Sequence, residues 1–209
     1  MMNNRNLIVA LAVVALLTVA STTAGCATSN NATPSPTSIP ATQTTVGNNT
    51  TFSSAAGFNI TYPKTLKTDT SSDASTPVRV YIYLSPNETY NGVLVATKGL
   101  SSGQTVNDFA NNEVAQLQDN ASKGNYKNFT ILSQTNSTFA GKSARTIVWS
   151  GIVPIQYNQT TATNKSVQVM QTYVVNNNTG YVITYKAISS DYDTYLAQAQ
   201  RIMNSFVLT

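Results

Sequence analysis

Asn177-Asn178-Thr179-Gly180-Tyr181-Val182-Ile183-Thr184-Tyr185-Lys186-Ala187 is the stretch from which the fold is read. Turn residues open it. An alternating strand follows, with Tyr181, Ile183 and Tyr185 on one face and Val182, Thr184 and Lys186 on the other. The period then changes: Tyr192, Tyr195, Leu196, Ala199, Ile202 and Met203 recur at three- and four-residue spacing, with Phe206 beyond. Ser190 can cap the first turn of this helix, where Asp191 and Asp193 complement its dipole. A strand that runs into an amphipathic helix predicts a sheet with a helix laid on it.

Toward the N-terminus the same two periods recur. Gly57-Phe58-Asn59-Ile60-Thr61-Tyr62-Pro63 alternates and ends at a proline that stops a ladder. Val78–Leu84 is β-branched and aromatic, and Asn91-Gly92 turns into Val93-Leu94-Val95-Ala96. Val106, Phe109, Ala110, Val114, Leu117 and Ala121 fall on one helical stripe. Thr105 and Asp108 form a capping box with Asp in place of Glu, and Gly124 is a left-handed stop. Strands are expected at 126–135, 143–153 and 166–176. The fold class is therefore α+β, an antiparallel sheet of about six strands sandwiched by two helices. This domain spans 52–209 and begins where aromatic residues begin, at Phe52.

Ahead of it the chain changes character twice. Residues 1–25 read as a signal peptide: one positive charge at Arg5, an apolar run from Leu7 to Ala20, and a small-residue exit. That run is about 21 Å long as a helix, short against a hydrocarbon core of about 30 Å. Its end, Ala24-Gly25-Cys26, resembles the lipobox of exported lipoproteins, although Thr23 stands where Leu is usual. Cys26 is the expected lipid attachment, and a diacyl anchor there would hold stably. Residues 26–51 form a disordered stalk. From Ala27 to Thr51 there is no charge and no aromatic ring, and 11 of those 25 residues are Ser or Thr. The stalk is open to O-glycosylation.

Composition narrows the chemistry. Of 209 residues 41% are hydrophobic and only 10% charged, with no histidine and one cysteine. The commonest general base, the commonest metal ligand and any internal disulfide are thereby removed. The positive charges are scattered, so no nucleic-acid stripe forms. Asn-x-Ser/Thr sequons begin at Asn31, Asn48, Asn49, Asn87, Asn120, Asn128, Asn136, Asn158, Asn164 and Asn177, all candidate glycosylation sites in an exported chain. An eleventh, Asn59, sits inside an expected strand.

Three motifs are set aside. Gly99-Leu100-Ser101-Ser102-Gly103 has the G-x-S-x-G spacing of a nucleophile elbow, but no histidine base exists for it. Gly141-Lys142-Ser143 echoes a phosphate loop, yet Asn136 stands where its first glycine is needed and no helix follows. Asp69 and Asp73 lie in a loop that could catch calcium, without a ligand-spaced set. No catalytic, cofactor-binding or metal-binding residue is assigned. Tyr81, Tyr83, Tyr90 and Tyr157 could face outward and stack on sugars.

Several of these segments carry a family resemblance. Gly57–Pro63, Gly141 before a long strand pair, and Tyr181–Ala187 followed by Tyr195, Ile202 and Ser205-Phe206 resemble PsbP-like proteins, relatives of the extrinsic photosystem II subunit PsbP. Leu66 departs from the pattern, since a tryptophan often stands there. The resemblance implies an α/β/α sandwich in an exported accessory or binding protein, with no functional residue carried over and no photosystem role. Together these readings predict an exported, non-catalytic binding or accessory module, tethered by a lipid anchor to the outer face of the cell membrane. Its partner is an unknown protein, glycan or small-molecule ligand. The alternative is a glycosylated structural envelope component, with a carboxylate-based hydrolase a remote third.

Overall fold

The computed structural model describes residues 47–71, 77–156 and 162–209. The leader, Cys26, Asn31 and the stalk as far as residue 46 lie outside them, as do Asp73, Tyr157 and Asn158.

Ten strands and two helices make up the described chain. They run β1 (Asn49–Ser54), β2 (Phe58–Pro63), β3 (Thr68–Thr70), β4 (Val78–Tyr83), β5 (Gly92–Gly99), α1 (Val106–Ser122), β6 (Lys127–Phe139), β7 (Lys142–Gln156), β8 (Ala162–Asn176), β9 (Thr179–Ile188), α2 (Tyr192–Asn204) and β10 (Val207–Leu208). Seven strands form one sheet in the order β3-β4-β5-β9-β8-β7-β6, and β1-β2-β10 form a smaller one. Every pairing is antiparallel. Helix α1 lies against β6, β7 and β8, and α2 against β9, β5 and β2. The result is an α+β sandwich whose main sheet is buried on both faces at its centre, while β6 is largely exposed.

Alternation in β9 decides which side chain goes where. Tyr181, Ile183 and Tyr185 enter a core with Phe58, Ile60, Ile202 and Phe206, between the main sheet, α2 and the small sheet. Val182 points the other way. On that side Phe109 and Leu117 of α1 cover Ile147, Trp149, Val169 and Tyr173. Two cores share one sheet.

The two-residue hairpins rest on local chemistry. Asn177 (φ 48°) and Asn178 (φ 59°) join β8 to β9, and Ala140 (φ 49°) and Gly141 (φ 73°) join β6 to β7. Positive φ at both central residues matches the twist of the flanking strands. Helix α1 starts with the expected capping box, Asp108 N–H donating to Thr105 Oγ1 at 3.2 Å and Thr105 N–H to Asp108 Oδ2 at 3.0 Å.

Four expectations change. The strand count exceeds six because β1, β3 and β10 are short segments held by pairing rather than by a period of their own. β1 begins at Asn49, three residues before Phe52. The inward stripe of α1 is rotated: Glu113 and Asn120 are buried, while Val106, Val114 and Ala121 are only half-buried. Ser190 does not cap α2. Asp191 occupies the N-cap without a side-chain cap, because its Oδ2 accepts from Asn91 Nδ2 at 2.7 Å while Ser190 Oγ bonds its Oδ1.

Candidate functional site

On the α1 side of the sheet, beyond the reach of α1, β4 presents Tyr81 and Tyr83 and β5 presents Leu94 and Ala96. Lys186 of β9 rises among them. Its ammonium stands 4.4 Å from the ring centre of Tyr90 and 5.0 Å from that of Tyr81. The position is built from the backbone up. Lys186 pairs with Gly92 across β5, and a Cβ at Gly92 would sit 2.6 Å from Tyr81 Cε1. The missing side chain is what lets the Tyr81 ring lie over β5. Tyr81 Oη then donates to the carbonyls of Thr89 and Tyr90, at 3.0 and 2.7 Å, and draws that loop onto the sheet. Ser85 Oγ and Glu88 Oε1 accept backbone N–H groups of the same loop and fix its course.

Lys186 is 6% exposed, and among the described residues no carboxylate lies within ion-pairing distance. Desolvation pulls its pKa down to about 8. The ring quadrupoles return part of that cost. Burial raises Tyr81 well above an ordinary phenol, with Tyr90 adding to it, and burial likewise raises Tyr90 and Tyr126. Tyr83 is raised by burial and by donating its hydroxyl to Asp69. Lys67 covers the Tyr83 ring at 4.8 Å, and farther along this side Tyr126 and Phe129 pack on Trp149 at 5.7 and 5.6 Å. Lysine and tyrosine thus form a closed cation–ring stack.

A second place offers room. A cavity of about 360 Å³ lies between the β1–β2 turn and the β3–β4 pair, lined by Phe52, Ser53, Ser54, Ala56, Thr70 and Arg79 among others. Its volume falls at the small end of ligand sites, and it joins one ring to several hydroxyls. Arg79 Nε donates to Thr97 Oγ1 at 2.8 Å.

The positions singled out in the sequence fare unequally. Tyr81 and Tyr83 do not face outward to stack on sugars: they are 1% and 5% exposed, because β4 turns them into the face closed by the 85–91 loop. Tyr90 is half-buried over Lys186. Asp69 is engaged by Tyr83, and no cluster of three metal-ligating side chains occurs among the described residues. Ser101 and Ser102 lie exposed in the loop before α1, and Lys142 opens a hairpin strand rather than a helix. Asn48, Asn49, Asn87, Asn128, Asn136, Asn164 and Asn177 are exposed, and Asn59 is half-buried in β2. Asn120 is buried at 6%, its Oδ1 accepting from Asn125 Nδ2, so the folded chain does not present it for glycosylation. Sequence reasoning missed Lys186. Its signal was a single charge inside an otherwise uncharged strand, directly between Tyr185 and Ala187.

Most of the described carboxylates are individually occupied. Asp108 caps α1, Glu113 pairs with Lys98 at 2.9 Å, and Asp119 pairs with Lys123 at 2.5 Å. Asp191 holds Asn91. Among the described residues no two of these form an acid–base pair.

No family model matches the chain, and no curated protein matches it. Solved structures do. The solution structure of cyanobacterial PsbP from Synechocystis is similar with a TM-score of 0.56 at 14% identity, over 83% of this chain and 99% of that one. LpqN of Mycobacterium tuberculosis, described as involved in cell envelope biogenesis, matches with a TM-score of 0.46 at 15% identity, covering 77% and 90%. The Saccharomyces cerevisiae Ran-binding protein Mog1p matches with a TM-score of 0.46 at 11% identity, covering 77% and 95%. Those descriptions belong to those proteins. The architecture of this chain, an antiparallel sheet between two helices, is PsbP-like.

Proposed function

We propose that this chain is an exported, membrane-tethered binding or accessory module without catalytic activity. The observation that carries the reading is Ala24-Gly25-Cys26 after a short apolar run, followed by an uncharged stalk and then a domain in which Asp108, Glu113, Asp119 and Asp191 each hold a separate structural partner. Acylation of Cys26 would hold the protein at the outer face of the membrane, and the residues between Cys26 and β1 would carry the PsbP-like domain clear of it. Exposed sequons such as Asn48, Asn87 and Asn164 are the acceptors a glycosylating host would use. An unknown protein, glycan or small-molecule ligand is the partner class.

Intact mass of the protein purified from its native membranes tests this. The expected result is a chain beginning at Cys26 with added acyl mass, and Cys26→Ser moves the protein from the membrane to the soluble fraction. A chain cleaved elsewhere, without acyl mass, defeats the tether.

A further inference from the structure

We infer that the outer edge of β6 is a self-association surface, where a second copy of this chain pairs antiparallel and continues the seven-stranded sheet across a two-fold axis. Among the described residues β6 is an edge strand of the main sheet, 13 residues long, Lys127–Phe139, whereas β3 at the opposite edge has three. Exposed edges present a row of backbone donors and acceptors, and natural sheets blunt them with charge, proline, bulges or shortness. Bulges interrupt β6 between Lys127 and Thr130 and between Ile131 and Ser133. From Ser133 to Phe139 the register against β7 is unbroken. That stretch, Ser-Gln-Thr-Asn-Ser-Thr-Phe, has no proline, and no charged residue occurs from Asn128 to Gly141.

A copy of the same strand fits this edge for two reasons. In a two-fold pair residue i meets j and j meets i, so any charge would recur on both copies. The complete lack of charge removes that cost in every register. Hydroxyl and amide side chains are also good cross-strand partners for their own kind, as Thr–Thr and Thr–Ser hydrogen bonds. An edge of this length buries less than a standard interface, so the dimer is expected to be weak and reversible.

Sedimentation velocity on the full mature chain, from low micromolar to submillimolar concentration, tests the inference. The expected result is a reversible change from one chain mass to two. Thr135→Lys, at an exposed position of the regular stretch, weakens association about tenfold because the like charge enters twice. Thr138→Lys repeats the effect from a second position, and Thr135→Val, which leaves the edge uncharged, keeps the dimer. Unchanged melting temperatures show that the lysine variants are folded. A wild-type chain that stays monomeric throughout overturns the inference. So does a dimer indifferent to both lysine variants, which lies elsewhere, and so does a glycan found on Asn136 of the native protein, which would block the edge.

Discussion

Lys186 shows how a single residue sets a pH response. Its ammonium is disfavoured by burial, so its folded-state pKa lies at about 8 against 10.5 for an ordinary lysine. The unfolded chain therefore binds the proton more tightly. The destabilisation is full below about pH 8 and is relieved as pH rises toward 10.5, so stability should increase with pH across that window. Its upper bound is about 3 kcal/mol, less what the rings return. Lys186→Met should raise stability at neutral pH by about 1–2 kcal/mol and flatten the slope between pH 8 and 10 in urea unfolding. Equal slopes for both proteins would show that the ammonium is solvated. The opposite experiment lies across the strand pair. Gly92→Ala sets a methyl 2.6 Å from Tyr81 Cε1 and 2.7 Å from the Ile82 carbonyl, and should cost about 1–3 kcal/mol in the same assay.

At the scale of the element, caps and turns are tested separately from the core. Thr105 takes part in both halves of the α1 capping box, so Thr105→Ala should lower stability by about 1 kcal/mol and Thr105→Ser should restore most of it. Thermal melts of the two variants decide this, and equal loss in both would mean that the methyl group rather than the hydroxyl matters. In the β8–β9 turn Asn178 holds φ 59°, a region costly for a branched side chain. Asn178→Val should destabilise by about 1–2 kcal/mol, while Asn178→Gly should be neutral or better, again by melting temperature. These features were legible from the sequence because their causes are local: Thr105 with Asp108, Asn177 with Asn178. The rotation of α1 was not. Glu113 is inward because Lys98 of β5 waits for it at 2.9 Å, and nothing in a helical period announces a partner on another element.

Across the whole molecule one ring joins parts that are distant in sequence. Phe206 stacks with Phe58 at 5.3 Å and Phe139 at 5.8 Å and meets Tyr181 edge-on at 5.8 Å, linking the small sheet, the β6–β7 hairpin and β9. Phe206→Ala should cost about 3–5 kcal/mol in urea unfolding, whereas Leu132→Ala, at a half-exposed edge position, should barely register in a dilute sample. A small loss at Phe206 would mean that the small sheet is a dispensable attachment to the main one.

The sequence by itself determined the order of the longer strands and of the two helices, the faces of β9, the hairpin turns and the first helix cap, because each depends on a repeat or a contact only a few residues long. It also supplied the export, tether and stalk readings, which concern residues ahead of the described domain. Only the tertiary structure decided that β9 sits between β5 and β8, that Tyr81 and Tyr83 are closed in rather than displayed, and that Lys186 is held by rings instead of a carboxylate. Sheet order joins residues about ninety positions apart, such as Val93 and Tyr185, and burial depends on what packs from the other side. Neither is written in the alternation of a strand, which looks the same whether its second face meets water or a second core.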